Sequence, residues 1–383
     1  MPINDADFNT PGQLISALLQ EKAWSTRILA VVLGVEPTGM GRILRDSKAV
    51  DATMAIGLSE VFNIPAERFL ELQRNFDLAK ARLTVRPDPN RARRAQLLGD
   101  LPVAEMATRG WIDVENVRDV PKIESELAKF FGAPSAEILA HAAKRTNVSE
   151  DATPVQLAWL YRVRQIASEM VVPSYGSDEM QAAIKKLSGL LASVEEARKA
   201  PRILAEAGVR FVVVESLTSA KIDGACFWLD DRSPVIGLSL RYDRIDNFWF
   251  VLRHECEHVL RGHGRQIVSI DTELEKERAG TGVGVAEDER VANEAAADFC
   301  VPASIMRQFV ARKAPIFTER DILGFAKTVN VHPGLVAGQL QHITARYDRF
   351  RAHQAKVRSV VLPNVIHDGW GDVAPVGQSY SET

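Results

Sequence analysis

Apolar residues recur at three- and four-residue intervals from residue 11 to residue 80, the spacing that gives each helix one core-facing stripe. Breaks at Gly34 and at Asn63-Ile64-Pro65 divide this stretch into short helices. Leu14, Leu18 and Leu19 are the buried positions expected of the first. Ser25 is well placed to cap a helix that ends at Gly34, where a C-terminal glycine is favoured. Ala30 at a tight crossing and Gly34 at the turn give the layout of a helix-turn-helix. The Pro-punctuated run Val85–Asn90, leading into Arg91-Ala92-Arg93-Arg94, reads as a linker. Helical spacing returns over 95–208, with breaks at Gly99–Pro102, Gly132–Pro134 and Pro173–Ser177. Trp111, Phe130 and Phe131 are expected core there.

The period then shortens. VRFVVVE (209–215), ACFWL (225–229) and PVIGLSL (234–240) are short β-rich runs between turn residues, which predicts a small antiparallel meander. The last of them, just ahead of the next helix, is the expected edge strand for an extended peptide. A strong helical pattern runs from Asp246 to about Gly262. The polar, glycine-rich stretch 265–288 reads as a mobile loop. Helices resume near 289–299, 304–311, 320–328 and 334–350, and the final residues read as a loosely ordered tail.

Composition narrows the class. With 46% hydrophobic and 25% charged residues, the chain is neither disordered, collagen-like nor membrane-embedded. A net charge of −3 argues against a protein built mainly to coat nucleic acid. Three scattered cysteines without a CxxC fit a reducing compartment and exclude a disulfide framework. The N-terminus lacks the basic and apolar regions of a signal peptide, and no run of about 18 apolar residues occurs. A soluble cytoplasmic protein with no membrane partner is expected.

One segment carries chemistry: DNFWFVLRHECEHVLRGHG, containing His254-Glu255-Cys256-Glu257-His258. Two His at i and i+4 project side by side from a helix, a spacing that suits one Zn²⁺, while the adjacent Glu reaches the water that the metal activates. On the helical wheel Ile245, Phe248, Leu252, Cys256 and Val259 form a core stripe, and the two His lie nearly opposite, facing a second surface. A catalytic zinc site needs a third protein ligand. The extended form with a third His fails, because Arg261 and Gly264 stand where Gly and His are required. A Glu on a later helix fits better: Glu289 shares a helical face with Asn293, which is placed to hydrogen-bond an imidazole. Glu287 is the alternative ligand. His263 reads as a helix-end residue.

RYDRIDNFWFVLRHECEH with the later ERVANEAAADFCVP resembles the ImmA/IrrE family of zinc metallo-endopeptidases, over roughly 190–345. The matching positions are the H-E-x-x-H, Glu289, Ala292, Asn293, Ala296, Ala297 and Pro302, together with the later VHPGLVAGQL; Ala295 departs from a common aromatic residue. The resemblance implies that His254, His258 and Glu289 bind Zn²⁺ and that Glu255 is the general base, with a repressor- or antitoxin-like protein as substrate in stress, phage or toxin–antitoxin control. No oxyanion donor is identifiable; His332 is a candidate, with helix capping as its alternative role. Residues 11–80 resemble the Xre/Cro-type fold, and its HigA-type antitoxin variety in particular. Thr38 and Arg42 are the candidate base contacts, and Arg45 and Lys48 the candidate phosphate contacts. Charge is sparse: residues 1–85 hold 9 Lys+Arg against 10 Asp+Glu. Double-stranded DNA is therefore one candidate partner, docking or dimerisation as a homodimer the other use of this module.

The expected fold class is thus mainly α with a small antiparallel β-sheet (α+β). Its parts are a helix-turn-helix domain over 1–85, a linker and helical middle segment over 86–160, a zincin-like peptidase domain over 161–350 and a tail over 351–383. The expected function is a transcriptional regulator with zinc-dependent endopeptidase activity. The alternative is a DNA-binding factor or antitoxin whose peptidase-like half acts only as a sensor.

Overall fold

The computed structural model describes residues 8–88, 91–132, 152–265, 268–272 and 287–376. The chain divides into two compact units, 1–89 and 90–383.

The first unit is a bundle of α1 (Pro11–Glu21), α2 (Thr26–Val32), α3 (Pro37–Leu44), α4 (Ala52–Phe62) and α5 (Ala66–Thr84). Side-chain caps fix three of the helix starts: Thr10, Ser25 and Asp51 accept hydrogen bonds from the amides of Gln13, Ile28 and Met54. Leu14, Ile15, Leu29, Ala30, Met40, Ile43, Leu58 and Phe69 form the core. Gly34, at φ +65°, makes the turn between α2 and α3, and the Val35 amide closes it on the Ala30 carbonyl at 2.9 Å.

The second unit continues with α6 (Arg91–Asp100), α7 (Val103–Thr108), α8 (Val120–Phe131), α9 (Pro154–Glu169), α10 (Ser177–Ser188) and α11 (Ala200–Glu206). Strands β1 (Arg210–Val214), β2 (Ile222–Trp228) and β3 (Pro234–Leu238) follow, then α12 (Ile245–Arg261) and β4 (Ser269–Thr272). The chain goes on through α13 (Glu287–Cys300), α14 (Ala303–Lys313), α15 (Glu319–Val329), α16 (Pro333–Thr344), α17 (Arg358–Val361) and β5 (Ile366–Asp368). The sheet order is β4-β2-β3-β1-β5. Alternate residues serve two cores. Phe211, Val213, Cys226, Trp228, Ile236 and Leu238 face α12. Val212, Val214, Ala225, Phe227 and Val235 face α9 and the aromatic cluster of Trp159, Phe130 and Phe131. A sheet covered on both faces has strands that are apolar throughout, which is why these runs lack a polar alternate.

The sheet is mixed, not an antiparallel meander: β1 pairs parallel with β3 and with β5, while β2 pairs antiparallel with β3 and β4. β3 is consequently interior, so it offers no free edge to a peptide; among the described residues β4 and β5 are the edges. Arg91–Arg94, read as linker, begins helix α6.

The tail reading also fails for residues 351–376. β5 extends the sheet beside β1, and Asp368, fully buried, accepts from Trp111 Nε1 at 2.6 Å, from Arg162 Nη2 at 2.6 Å and from the Ala374 amide at 3.0 Å. A buried carboxylate with this many donors is a fixed point of the core. The same bonds place Trp111, from the sequence-defined middle segment, in one unit with the sheet. Residues 377–383 lie outside the described residues. Among the described residues no helix is long and apolar enough to cross a membrane.

Candidate metal centre

Helix α12 is buried on two sides for different reasons. Ile245, Phe248, Leu252, Cys256 and Val259 pack into the core as their spacing predicts. His254, Glu255 and His258 are also buried, the imidazoles at 0% and 1% exposure. The expected open surface is in fact covered by side chains of α13 and β4. Glu257, on the same helix, is matched by Arg253 and Arg261, each 2.7 Å away.

His254 Nε2 and His258 Nε2 stand 3.0 Å apart and point at one place. Glu289, in the first turn of α13, brings Oε2 to 3.3 Å from His254 Nε2 and Oε1 to 3.5 Å from His258 Nε2. Asp271 on β4 adds Oδ2 at 3.4 Å from His254 Nε2. Ligand atoms from these four residues lie within 4.8 Å of one another, a group that can hold a metal ion. Glu287 takes no part: its side chain is 72% exposed and bonds Arg290.

Electrostatics favour a cation in this position. Burial pushes the His254 pKa down, but the Asp271 and Glu289 carboxylates outweigh it and hold it up to about 10. Burial raises the Glu289 pKa, and the two imidazoles more than reverse this, leaving it well below the usual carboxylate range. The Glu255 pKa is pushed well above that range by burial and then by the neighbouring Asp271 and Glu289 carboxylates. Among the described residues, both oxygens of Glu255 and Oδ2 of Asp271 lack a hydrogen-bond partner. Unpaired carboxylate oxygens in a dry interior are costly, and a divalent cation among them offsets both the charge and the missing bonds. The donor set fits such an ion.

Outer contacts orient both imidazoles. His254 Nδ1 lies 3.1 Å from Asn293 Oδ1, so with Nε2 turned to the cluster, Nδ1 carries the proton and donates. His258 Nδ1 lies 2.9 Å from His263 Nδ1. His258 then donates, His263 accepts, and the His263 proton sits on Nε2, 3.4 Å from Asp288 Oδ1. Asn293→Ala and His263→Ala are each expected to weaken divalent-cation binding by about 10–100-fold, measured by competition with a chromophoric chelator.

Room for Glu255 comes from Gly224 on β2, where an added Cβ would stand 2.2 Å from Glu255 Oε1. Gly224 pairs across the sheet with Asp271, so the missing side chain leaves space on the face that both acids share. Sequence reasoning missed Asp271, Gly224 and the role of His263. The alternation in Val268-Ser269-Ile270-Asp271-Thr272 was the available sign of a strand inside the supposed loop, whose residues 273–286 lie outside the described ones.

Other candidates lie apart from the cluster. His332 is the N-cap of α16, its Nδ1 accepting from the Gly334 amide at 3.0 Å. Thr38 near the start of α3, Arg42 in its last turn, Arg45 at its C-cap and Lys48 just beyond are all exposed in the first unit. No protein-family model matches the chain. No curated protein matches it either.

Proposed function

We propose that the chain is a zinc-dependent endopeptidase joined to a helix-turn-helix regulatory module, acting on a repressor- or antitoxin-like protein. The observation that carries this reading is the convergence of His254, His258 and Glu289 beside the carboxyl of Glu255, which no described residue hydrogen-bonds. Zinc is favoured over other divalent ions by the His₂-carboxylate donor set. Separations of 3.0 to 3.5 Å between these nitrogen and oxygen atoms leave them close enough to share one small cation.

These residues would hold a zinc ion, which would supply Lewis acidity to a water and to a carbonyl. Glu255 Oε accepts the proton of the attacking water and passes it to the departing amine. Asn293 and His263 keep the imidazole rings in the tautomer that leaves each Nε2 free for the cation. Metal analysis tests the reading: the purified chain should carry about one zinc, and His254→Ala and Glu289→Ala should each lose most of it. Undiminished zinc in both variants overturns the assignment.

A second reading, a DNA-binding factor or antitoxin whose peptidase-like half only senses, is favoured by the exposed Thr38, Arg42, Arg45 and Lys48 of the first unit.

A further inference from the structure

A hydrolytic zinc site keeps one position open for water, whereas four protein ligands make a closed, structural type of site. Here a fourth donor is present. Asp271 is 4% exposed, its Oδ2 has no hydrogen-bond partner among the described residues, and that oxygen lies 3.4 Å from His254 Nε2, within the range of the other donor separations. Its placement is built into the fold. Among the described residues β4 is an edge strand that pairs with β2 alone, and the Asp271–Gly224 register turns the carboxylate onto the face occupied by α12.

We propose that Asp271 is a fourth metal ligand and that the folded chain is self-inhibited: β4 occupies both the position water needs on the cation and the sheet edge an extended peptide needs. The inference rests on the cluster being the metal centre of the proposed peptidase. It also defines the substrate class. An extended polypeptide segment pairing with β2 takes over the backbone hydrogen bonds of β4 and withdraws Asp271 in the same movement. A compact ligand that reaches the cation without adding a strand leaves β4, and the inhibition, in place. Productive substrates are therefore unstructured or locally unfolded segments.

Co²⁺-loaded full-length protein titrated with azide supplies the test. Wild type, whose open state is the minor one, is expected to need about tenfold more azide than Asp271→Ala before its visible bands shift. Asp271→Ala should also hold Co²⁺ at least about tenfold more weakly and cleave an unstructured casein substrate about tenfold faster, as when a competent state of about 10% becomes the main one. Asp271→Asn, which keeps the volume of the side chain, serves should the alanine variant not fold. Equal azide responses in wild type and variant, or unchanged Co²⁺ affinity, overturn the role of Asp271 alone. Undiminished Co²⁺ binding in His254→Ala overturns the metal centre beneath it.

Discussion

Glu255→Gln is expected to keep its zinc and lose about 10²–10⁴-fold in kcat on a cleavable protein, the usual contribution of a positioned general base. The amide matches the carboxylate in shape, so the tight fit against Gly224 survives while the proton acceptor is lost. Glu255 is not among the four grouped ligands, which is why metal content should hold while turnover falls. Metal analysis and a cleavage assay on the same preparation read both quantities. Normal cleavage by this variant removes Glu255 from the mechanism. A gel shift on a promoter fragment, run with wild type and the variant, separates the two functional readings: DNA binding and regulation indifferent to Glu255 favour the sensor.

Asp368→Ala is expected to destabilise the second unit by about 3–5 kcal/mol, because it leaves the Arg162 guanidinium buried without its counter-charge. Arg162 is 5% exposed and donates to Asp368 through both Nε, at 3.0 Å, and Nη2. Trp111 Nε1 loses its acceptor in the same substitution. Denaturant unfolding followed by Trp fluorescence measures the loss. Replacing the pair together, Arg162→Met with Asp368→Leu, should cost much less, since neither charge is then stranded. A wild-type unfolding midpoint for Asp368→Ala would show that the network holds nothing together.

How much of this could be read beforehand depended on whether a feature was local. The spacing of His254 and His258, the core stripe of α12 and the choice of Glu289 with Asn293 follow from helical periodicity, and the structure brings these residues together. The cap of α2 by Ser25 is local as well. Strand order is not local. β1 and β2 follow one another in the chain, yet β3 lies between them in the sheet, and nothing in three similar apolar runs encodes which pairs with which. Asp271 was hidden because four residues of strand in a polar stretch give a weak period-two signal. The closing strand β5 was hidden by the glycines and proline around it, which suggest looseness even where Asp368 anchors the segment.

That anchoring constrains the order of events at the ribosome. Trp111 and Asp368 are 257 positions apart, a stretch that takes about 10–50 s to synthesise at 5–20 residues per second. For the later part of that interval, from the time each emerges until residue 368 does, Arg162 has no counter-charge and β1 has a bare parallel edge. Nascent chains shorter than residue 368 are therefore the species most exposed to misassembly, and the first unit, whose contacts close within residues 1–89, is free to fold while the second waits.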